Sequence, residues 1–383
     1  MRGILNPDNR YSEPKVSDAC SLFGMMDTSG RRFSGEDVIR AIANMHDRGN
    51  GLGGGFAGYG IYAQFADLYA LHLMYMERDS KERTEAFLRE HFAVSHVEDI
   101  PIRPIEGVSN PPGLWRYFVL PRRRDGEQVP DDDLVLQKVM QINTTIPGAF
   151  VFSSGKNMGV FKGVGFPEDV GRFFRLEEYQ GYLWTAHGRF PTNTPGWWGG
   201  AHPFNILDWT VVHNGELSSY GINRRYLEMY GYHCTMQTDT EVAAYAVDLL
   251  VRRHGLSIEL MAKVLAPPLW DEIERQPPED RALLTTLRQV YGSLLLNGPF
   301  TLIIAHQGEM IGLTDRIRLR PLAAAAKGSV MYLSSEEAAI SLVCPQVERV
   351  WKPRGGDPVV SRLGQPIAPP PEGSVRNREV AAR

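Results

Sequence analysis

The chain has 383 residues, 43% of them hydrophobic, with 38 Gly, 26 Pro and a net charge of −4, a globular composition sufficient for one large or two modest domains. The slightly acidic balance argues against a surface built for nucleic acid or an anionic membrane, and no apolar run reaches the roughly 18 residues of a membrane helix. Three Cys (Cys20, Cys234, Cys344), far apart and without a C-x-x-C pair, argue against a disulfide framework and against a Cys-based zinc or iron–sulfur site.

Residues 1–19 read as a short polar leader without the apolar core of a secretory signal, so a cytoplasmic location is expected. Cys20 then opens a strand-like run, Cys20-Ser21-Leu22-Phe23-Gly24-Met25-Met26. Ser34-Gly35-Glu36-Asp37 is a helix start, Val38, Ala41, Ile42 and Met45 recur at helical spacing, and Gly49 ends the run. Tyr59, Ile61, Ala63 and Phe65 alternate as in a half-buried strand. Residues 76–92 are charged and predict a helix. The stretch 97–135, rich in Pro, Asp and Arg, reads as an insertion with little core of its own, and Arg122-Arg123-Arg124 within it as a solvated loop. Hairpin strands are expected over 148–163, with the turn at Ser153-Ser154-Gly155-Lys156-Asn157. Strands follow at 181–187 and 208–213, then helices at 219–230, 238–253, 256–265 and 278–290. Strands 299–305, 309–313 and 329–334 close a domain spanning 20–364, and 365–383 reads as a loose tail. Strands in groups, flanked by helices without regular βαβ alternation, predict a layered α+β fold.

A nucleophile at Cys20 makes chemical sense if the leader is removed. The thiol and a free α-amino group would then share one residue, and an amine titrating near 8 suits a thiol with reference pKa about 8.5. A small buried apolar residue on a first strand is the other reading. Gly53-Gly54-Gly55-Phe56-Ala57-Gly58 matches G-x-G-x-x-G by letter, but a helix precedes it and a strand follows, the reverse of a dinucleotide site. Close backbone approach beside a pocket fits these glycines better. His187, His202 and His213 have no ligand spacing, so they read as structural or supporting, and no metal site is expected. Arg189, between an apolar strand and a Pro-bracketed loop, is placed to hold a carboxylate through its planar fork. Asn214-Gly215, at the end of Val211-Val212-His213, offers an amide side chain and an unhindered N–H, the parts of an oxyanion hole, although the same dipeptide suits a turn. Thr238-Asp239-Thr240-Glu241 opens a helix with acidic first-turn residues.

In the order Cys20, Arg189-Phe190-x-Thr192, His213-Asn214-Gly215-Glu216, Asp239-Thr240-Glu241, the chain resembles class II glutamine amidotransferases. Arg189-Phe190-Pro191-Thr192-Asn193-Thr194, then Trp197 or Trp198 and His202-Pro203, is most similar to the amidotransferase region of glutamate synthase. His46-x-Arg48-Gly49 and the glycines after it resemble that family's early His-Arg-Gly stretch. By motif the resemblance covers about residues 20–255. It implies a four-layer αββα N-terminal-nucleophile fold, with Cys20 forming a γ-glutamyl thioester from L-glutamine. Asn214 and Gly215 would hold the oxyanion, Arg189 the substrate carboxylate and Asp239 its ammonium. Arg48, Thr192 and His213 would wall or orient the pocket. Two features depart from the family: Ser21 stands where members often carry Gly, and 97–135 has no evident counterpart. The resemblance implies no cofactor in this chain and a separate synthase subunit holding FMN and iron–sulfur. That partner would make glutamate from 2-oxoglutarate, or N-methylglutamate. A stand-alone amidase on another amide and a non-catalytic glutamine-sensing subunit are the alternatives.

Overall fold

The computed structural model describes residues 19–123, 126, 128–190, 196–370 and 375–376. Its organising element is the strand Ser21–Asp27, buried at all positions. Continuous burial without polar alternation follows from a strand covered on both faces. It pairs antiparallel with Leu183–Gly188 on one side and Val330–Ser334 on the other. Among the described residues these belong to an eight-stranded sheet, which Gly54–Tyr59 and Met158–Gly163 extend beyond Leu183–Gly188.

A second antiparallel sheet runs Phe204–Ile206, Trp209–Gly215, Phe300–His306, Glu309–Thr314, Val359–Arg362. The two sheets stack so closely that a Cβ on Gly24 would lie 2.9 Å from Met310 Sδ and 3.2 Å from Ile303. Helices Glu36–Ala43 and Pro167–Phe173 cover the outer face of the first sheet, and Asp239–Val247 covers that of the second. The order is helix, sheet, sheet, helix, the layered α+β (αββα) architecture expected.

Three expectations are corrected. The stretch 97–135 contains the strand Gly113–Pro121, interior to a third sheet, with Leu114, Tyr117, Phe118 and Val119 in the core. Its Arg116 is buried and donates to Tyr62 Oη (3.1 Å), Tyr179 Oη (2.9 Å) and Glu98 (2.8 Å), so one charged letter hides an inward position. Second, Tyr59–Phe65 is not a strand. The strand is the glycine segment Gly54–Tyr59 itself, followed by a 3₁₀ turn at Ala63–Phe65 and a strand at Tyr69–Tyr75. A Cβ on Gly55 would sit 2.2 Å from His202 O, so only glycine permits that approach. Third, Ala149–Ser153 and Met158–Gly163 do not form a hairpin with each other. The first pairs with Tyr69–Tyr75, the second with Gly54–Tyr59, in different sheets.

Of the basic triplet, Arg123 pairs with Asp131 across 2.6 Å, and Arg124 lies outside the described residues, as do residues 1–18 and most of 371–383. No helix among the described residues is long and apolar enough to cross a membrane.

Candidate active site

Register places Cys20. Ser21 lies opposite Gly188, so the residue before Ser21 meets the chain just past Gly188, at Arg189 and Phe190. The Phe190 N–H donates to Cys20 Sγ at 3.3 Å. The Cys20 carbonyl is held twice, by Asn214 Nδ2 at 2.9 Å and Arg48 Nε at 3.2 Å. Arg48 is fixed in turn by Glu336, its Nη1 lying 2.5 Å from Oε1. Burial raises the thiol pKa above its ordinary value. The Phe190 N–H and the charge of Arg189 oppose that rise, Asp239 adds to it, and Arg320 opposes it. A thiol so placed stays protonated near neutrality and needs a base.

Arg189 is buried, and its side chain threads between glycines. Cβ atoms on Gly53 and Gly200 would each fall 3.1 Å from it. Burial lowers its pKa, while Cys20 and Asp239 favour its charged form. Asp239 begins the helix Asp239–Val247, and its Oδ2 accepts from the Leu217 N–H at 2.9 Å. Burial works against its ionisation, but His213, the Leu217 N–H and Thr240 outweigh it and hold the carboxyl below its ordinary pKa. The helix N-terminus favours the anion as well. Thr238, at the N-cap position, makes no side-chain cap.

His213, expected to wall or orient the pocket, sits against the start of the helix Asp239–Val247. It is buried, with Nδ1 3.0 Å from Thr240 Oγ1 and 3.6 Å from Asp239 Oδ1, a position that supports Asp239. His187 and His202 stack at 3.8 Å between ring centroids, and His202 Nε2 reaches Thr240 Oγ1 at 3.2 Å. Burial lowers the pKa of the His187 and His202 imidazoles, so these two pack as neutral rings. Thr192 lies outside the described residues.

Asn214 and Gly215 do not form a turn; they end the strand Trp209–Gly215, opposite Thr301 and Phe300. Gly215 has φ +151°, and a Cβ there would meet Pro299 O at 1.9 Å. Gly215→Ala is therefore expected to destabilise the fold by on the order of 3 kcal/mol, combining strain with overpacking. Urea unfolding measures it, and a shift below about 1 kcal/mol would mean the strand ends yield freely.

Two buried charges underlie the pocket: Glu241, which the sequence showed only as part of an acidic helix start and motif, and Lys162, which it did not single out. Lys162 Nζ donates to Gly199 O at 2.9 Å and lies 4.4 Å from the Phe204 ring centroid, gripping the loop that flanks Arg189. Glu241 accepts from the Thr235 and Met236 N–H groups, each at 2.9 Å, just before Asp239. Burial pushes Lys162 down from 10.5 to about 7, with Arg189 reinforcing and Glu241 opposing. Between pH 7 and 10.5 the unfolded chain then binds more protons at this site, so the wild type gains stability as pH rises. Thermal unfolding of Lys162→Met is expected to show the variant gaining on the wild type most near pH 7, the difference narrowing toward pH 10. A difference that widened over that range would contradict the burial argument. The Glu241 carboxyl, raised from 4.5 to about 7 by burial, acts below this window.

Sequence reasoning missed other supports too. Glu336 is 288 residues from Arg48, and the Phe190 contribution is a backbone N–H, so neither carries a local signal.

A thiol at the head of an interior strand, in stacked antiparallel sheets covered by helices, defines an N-terminal-nucleophile type of hydrolase fold. Residues 133–360 match the family model for class-II glutamine amidotransferases, and the chain belongs to that family. The matched region begins downstream of Cys20 and takes in Arg189, Asn214, Gly215 and Asp239. An uncharacterized protein of Archaeoglobus fulgidus is 59% identical over 369 residues, covering 95% of this chain and 96% of its own. An amidophosphoribosyltransferase of Methanocaldococcus jannaschii is 30% identical over 193 residues, 49% of this chain and 35% of its own length. Among solved structures, glutamine phosphoribosylpyrophosphate amidotransferase from B. subtilis aligns at 15% identity and a TM-score of 0.43, over 91% of this chain and 50% of that one. The chain thus spans a third to a half of these two amidotransferases.

Proposed function

We propose that this chain is a glutaminase subunit that hydrolyses L-glutamine to glutamate and ammonia through a Cys20 γ-glutamyl thioester. One observation carries the reading. A buried cation, Arg189, and a half-buried anion, Asp239, flank the thiol closely enough for both charges to act on it. A free amino acid carries one of each charge, so this pair fixes its α-carboxylate and α-ammonium and leaves its side chain toward Cys20. The reacting amide is neutral and needs only neutral donors, which Asn214 Nδ2 and the Gly215 N–H supply when charge develops on its oxygen.

Cleavage before Cys20 frees its α-amino group, the base that the buried thiol requires. The thiolate attacks the side-chain carbonyl carbon, the amine returns the proton to the leaving nitrogen, and ammonia departs. Water, activated by the same amine, then attacks the thioester carbon and releases glutamate with restoration of the thiol. Arg48, anchored on Glu336, keeps the Cys20 carbonyl in place throughout.

Free ammonia escapes readily into solvent, which favours a separate acceptor subunit docked over the site. The Arg189-to-Thr194 run favours a glutamate-synthase-like or N-methylglutamate-synthase-like partner carrying FMN and iron–sulfur. The test is an intact-mass spectrum before and after 6-diazo-5-oxo-L-norleucine, a glutamine-shaped electrophile. A chain beginning at Cys20 with one adduct on it is the expected result; a chain retaining its leader and taking no label overturns the reading. Arg189→Lys is expected to raise KM for glutamine roughly tenfold or more, since one ammonium does not reproduce a bidentate fork. An unchanged KM removes Arg189 from the carboxylate.

A further inference from the structure

Beside the thiol strand lies a cavity of about 340 Å³, lined by Arg318, Leu319, Leu322, Ser335, Glu337 and Lys352, among others. Its lining carries two cations, Arg318 and Lys352, and Arg320 stands between the lining residues Leu319 and Pro321. Among the described residues Arg316, Arg320, Lys352 and Arg354 have no side-chain partner, and Arg318 reaches only a backbone oxygen, Pro353 O, at 3.1 Å. Arg320 Nε is buried with no hydrogen-bond partner. The two segments are contiguous, since a Cβ on Gly355 would lie 2.4 Å from Arg316 O.

Neighbouring acids are largely committed elsewhere. The Asp315 carboxylate accepts from the N–H groups of Phe300, Ile317, Leu319 and Arg320, Glu336 pairs with Arg48, and Asp357 pairs with Lys263. Glu337 is the one acid in the lining. Arg318, Lys352 and Arg354 are exposed, so water screens them, whereas Arg316 and Arg320 are partly buried. Arg320, with a buried unpaired donor, is the most costly of the five.

We propose that this cavity binds a small organic anion, its carboxylate or phosphate on Arg318 and Lys352 and its apolar body against Leu319, Leu322 and Ala323. The volume suits a metabolite. Position gives the site its meaning. Ser335 lines the cavity and its Oγ accepts from the Leu22 N–H at 3.1 Å, two residues past Cys20. The charge of Arg320, between the lining residues Leu319 and Pro321, acts on the thiol, so an anion seated in the cavity alters the nucleophile's electrostatic surroundings. Such a ligand links the glutamine site to an acidic acceptor or effector without touching glutamine itself.

The test is direct binding, independent of glutamine turnover. Calorimetric titrations use 2-oxoglutarate as the carboxylate probe and glycerol 3-phosphate as the phosphate probe, with ionic strength held constant to remove general screening. One probe is expected to bind at a single site with Kd below about 1 mM, and its identity settles which anion chemistry the site takes. Arg318→Ala combined with Lys352→Ala is expected to weaken that binding about tenfold or more, with glutamine hydrolysis in the absence of anion within about twofold of wild type. Lys352→Ala alone, which breaks no side-chain contact, guards against loss of fold and is expected to weaken binding about threefold or more. Failure of both probes to saturate, or unchanged affinity in the variants, overturns the proposal and leaves the glutaminase reading standing.

Discussion

Cys20→Ala is expected to reduce glutamine hydrolysis to the uncatalysed background while the chain still folds. The thiol is the sole nucleophile in the proposed route, and no hydrogen-bond partner of Cys20 among the described residues replaces it. Asn214 and Arg48 hold its carbonyl and the Phe190 N–H faces its sulfur, so the nearest groups are donors rather than nucleophiles. Losing one sulfur atom from a half-buried position costs about 1 kcal/mol of stability, well within what a domain of this size tolerates. Ammonia release by a coupled assay and unfolding by circular dichroism read the two effects separately. Persistent turnover would remove Cys20 from the reaction. The mass of the same variant also separates two routes to the mature chain: a retained leader means the thiol cleaves its own peptide bond, a lost leader means a protease does.

Asn214→Ala is expected to lower kcat about 10²–10³-fold with little change in KM, the usual cost of one oxyanion donor. The structure gives this residue a second duty, because its Nδ2 already donates to the Cys20 carbonyl at 2.9 Å. Removing it leaves that carbonyl on Arg48 alone, so the nucleophile loosens as the oxyanion loses a donor. Both effects act on the transition state rather than on glutamine binding, which is the work of Arg189 and Asp239. A fall of less than tenfold would confine Asn214 to holding Cys20. Arg48→Lys, which keeps the charge but breaks the fork shared by Cys20 O and Glu336, is a useful companion: a loss comparable to that of Asn214→Ala would show that the carbonyl grip dominates.

Much of this was readable one residue at a time. The helical spacing of Val38, Ala41 and Ile42 and the apolar run after Cys20 report local preferences and burial that survive in the fold. Arg189, Asn214-Gly215 and Asp239 stand out because their chemistry is tied to residue type: a fork of donors, an amide beside a Cβ-free N–H, and an acid at a helix start. What failed was of another kind. Ala323–Lys327 is a strand of four alanines, a composition with poor strand propensity, held in place by Val330–Ser334 on one side and Arg349–Trp351 on the other. Gly113–Pro121 sits between charged and Pro-rich flanks that disguise its burial.

The sequence by itself therefore determined the chemical inventory and most of the elements, since side-chain type and hydrophobic period act over a few residues. Tertiary structure alone decided which groups meet. Cys20 and Phe190 are 170 positions apart and Arg48 and Glu336 are 288, brought together by sheet register and layer stacking. It also decided the sign of the electrostatics. Burial, set by everything packed around a site, keeps the thiol protonated, draws Lys162 toward neutrality and leaves the Arg320 Nε without a partner. Desolvation depends on the whole surrounding volume, and no local stretch of chain encodes it.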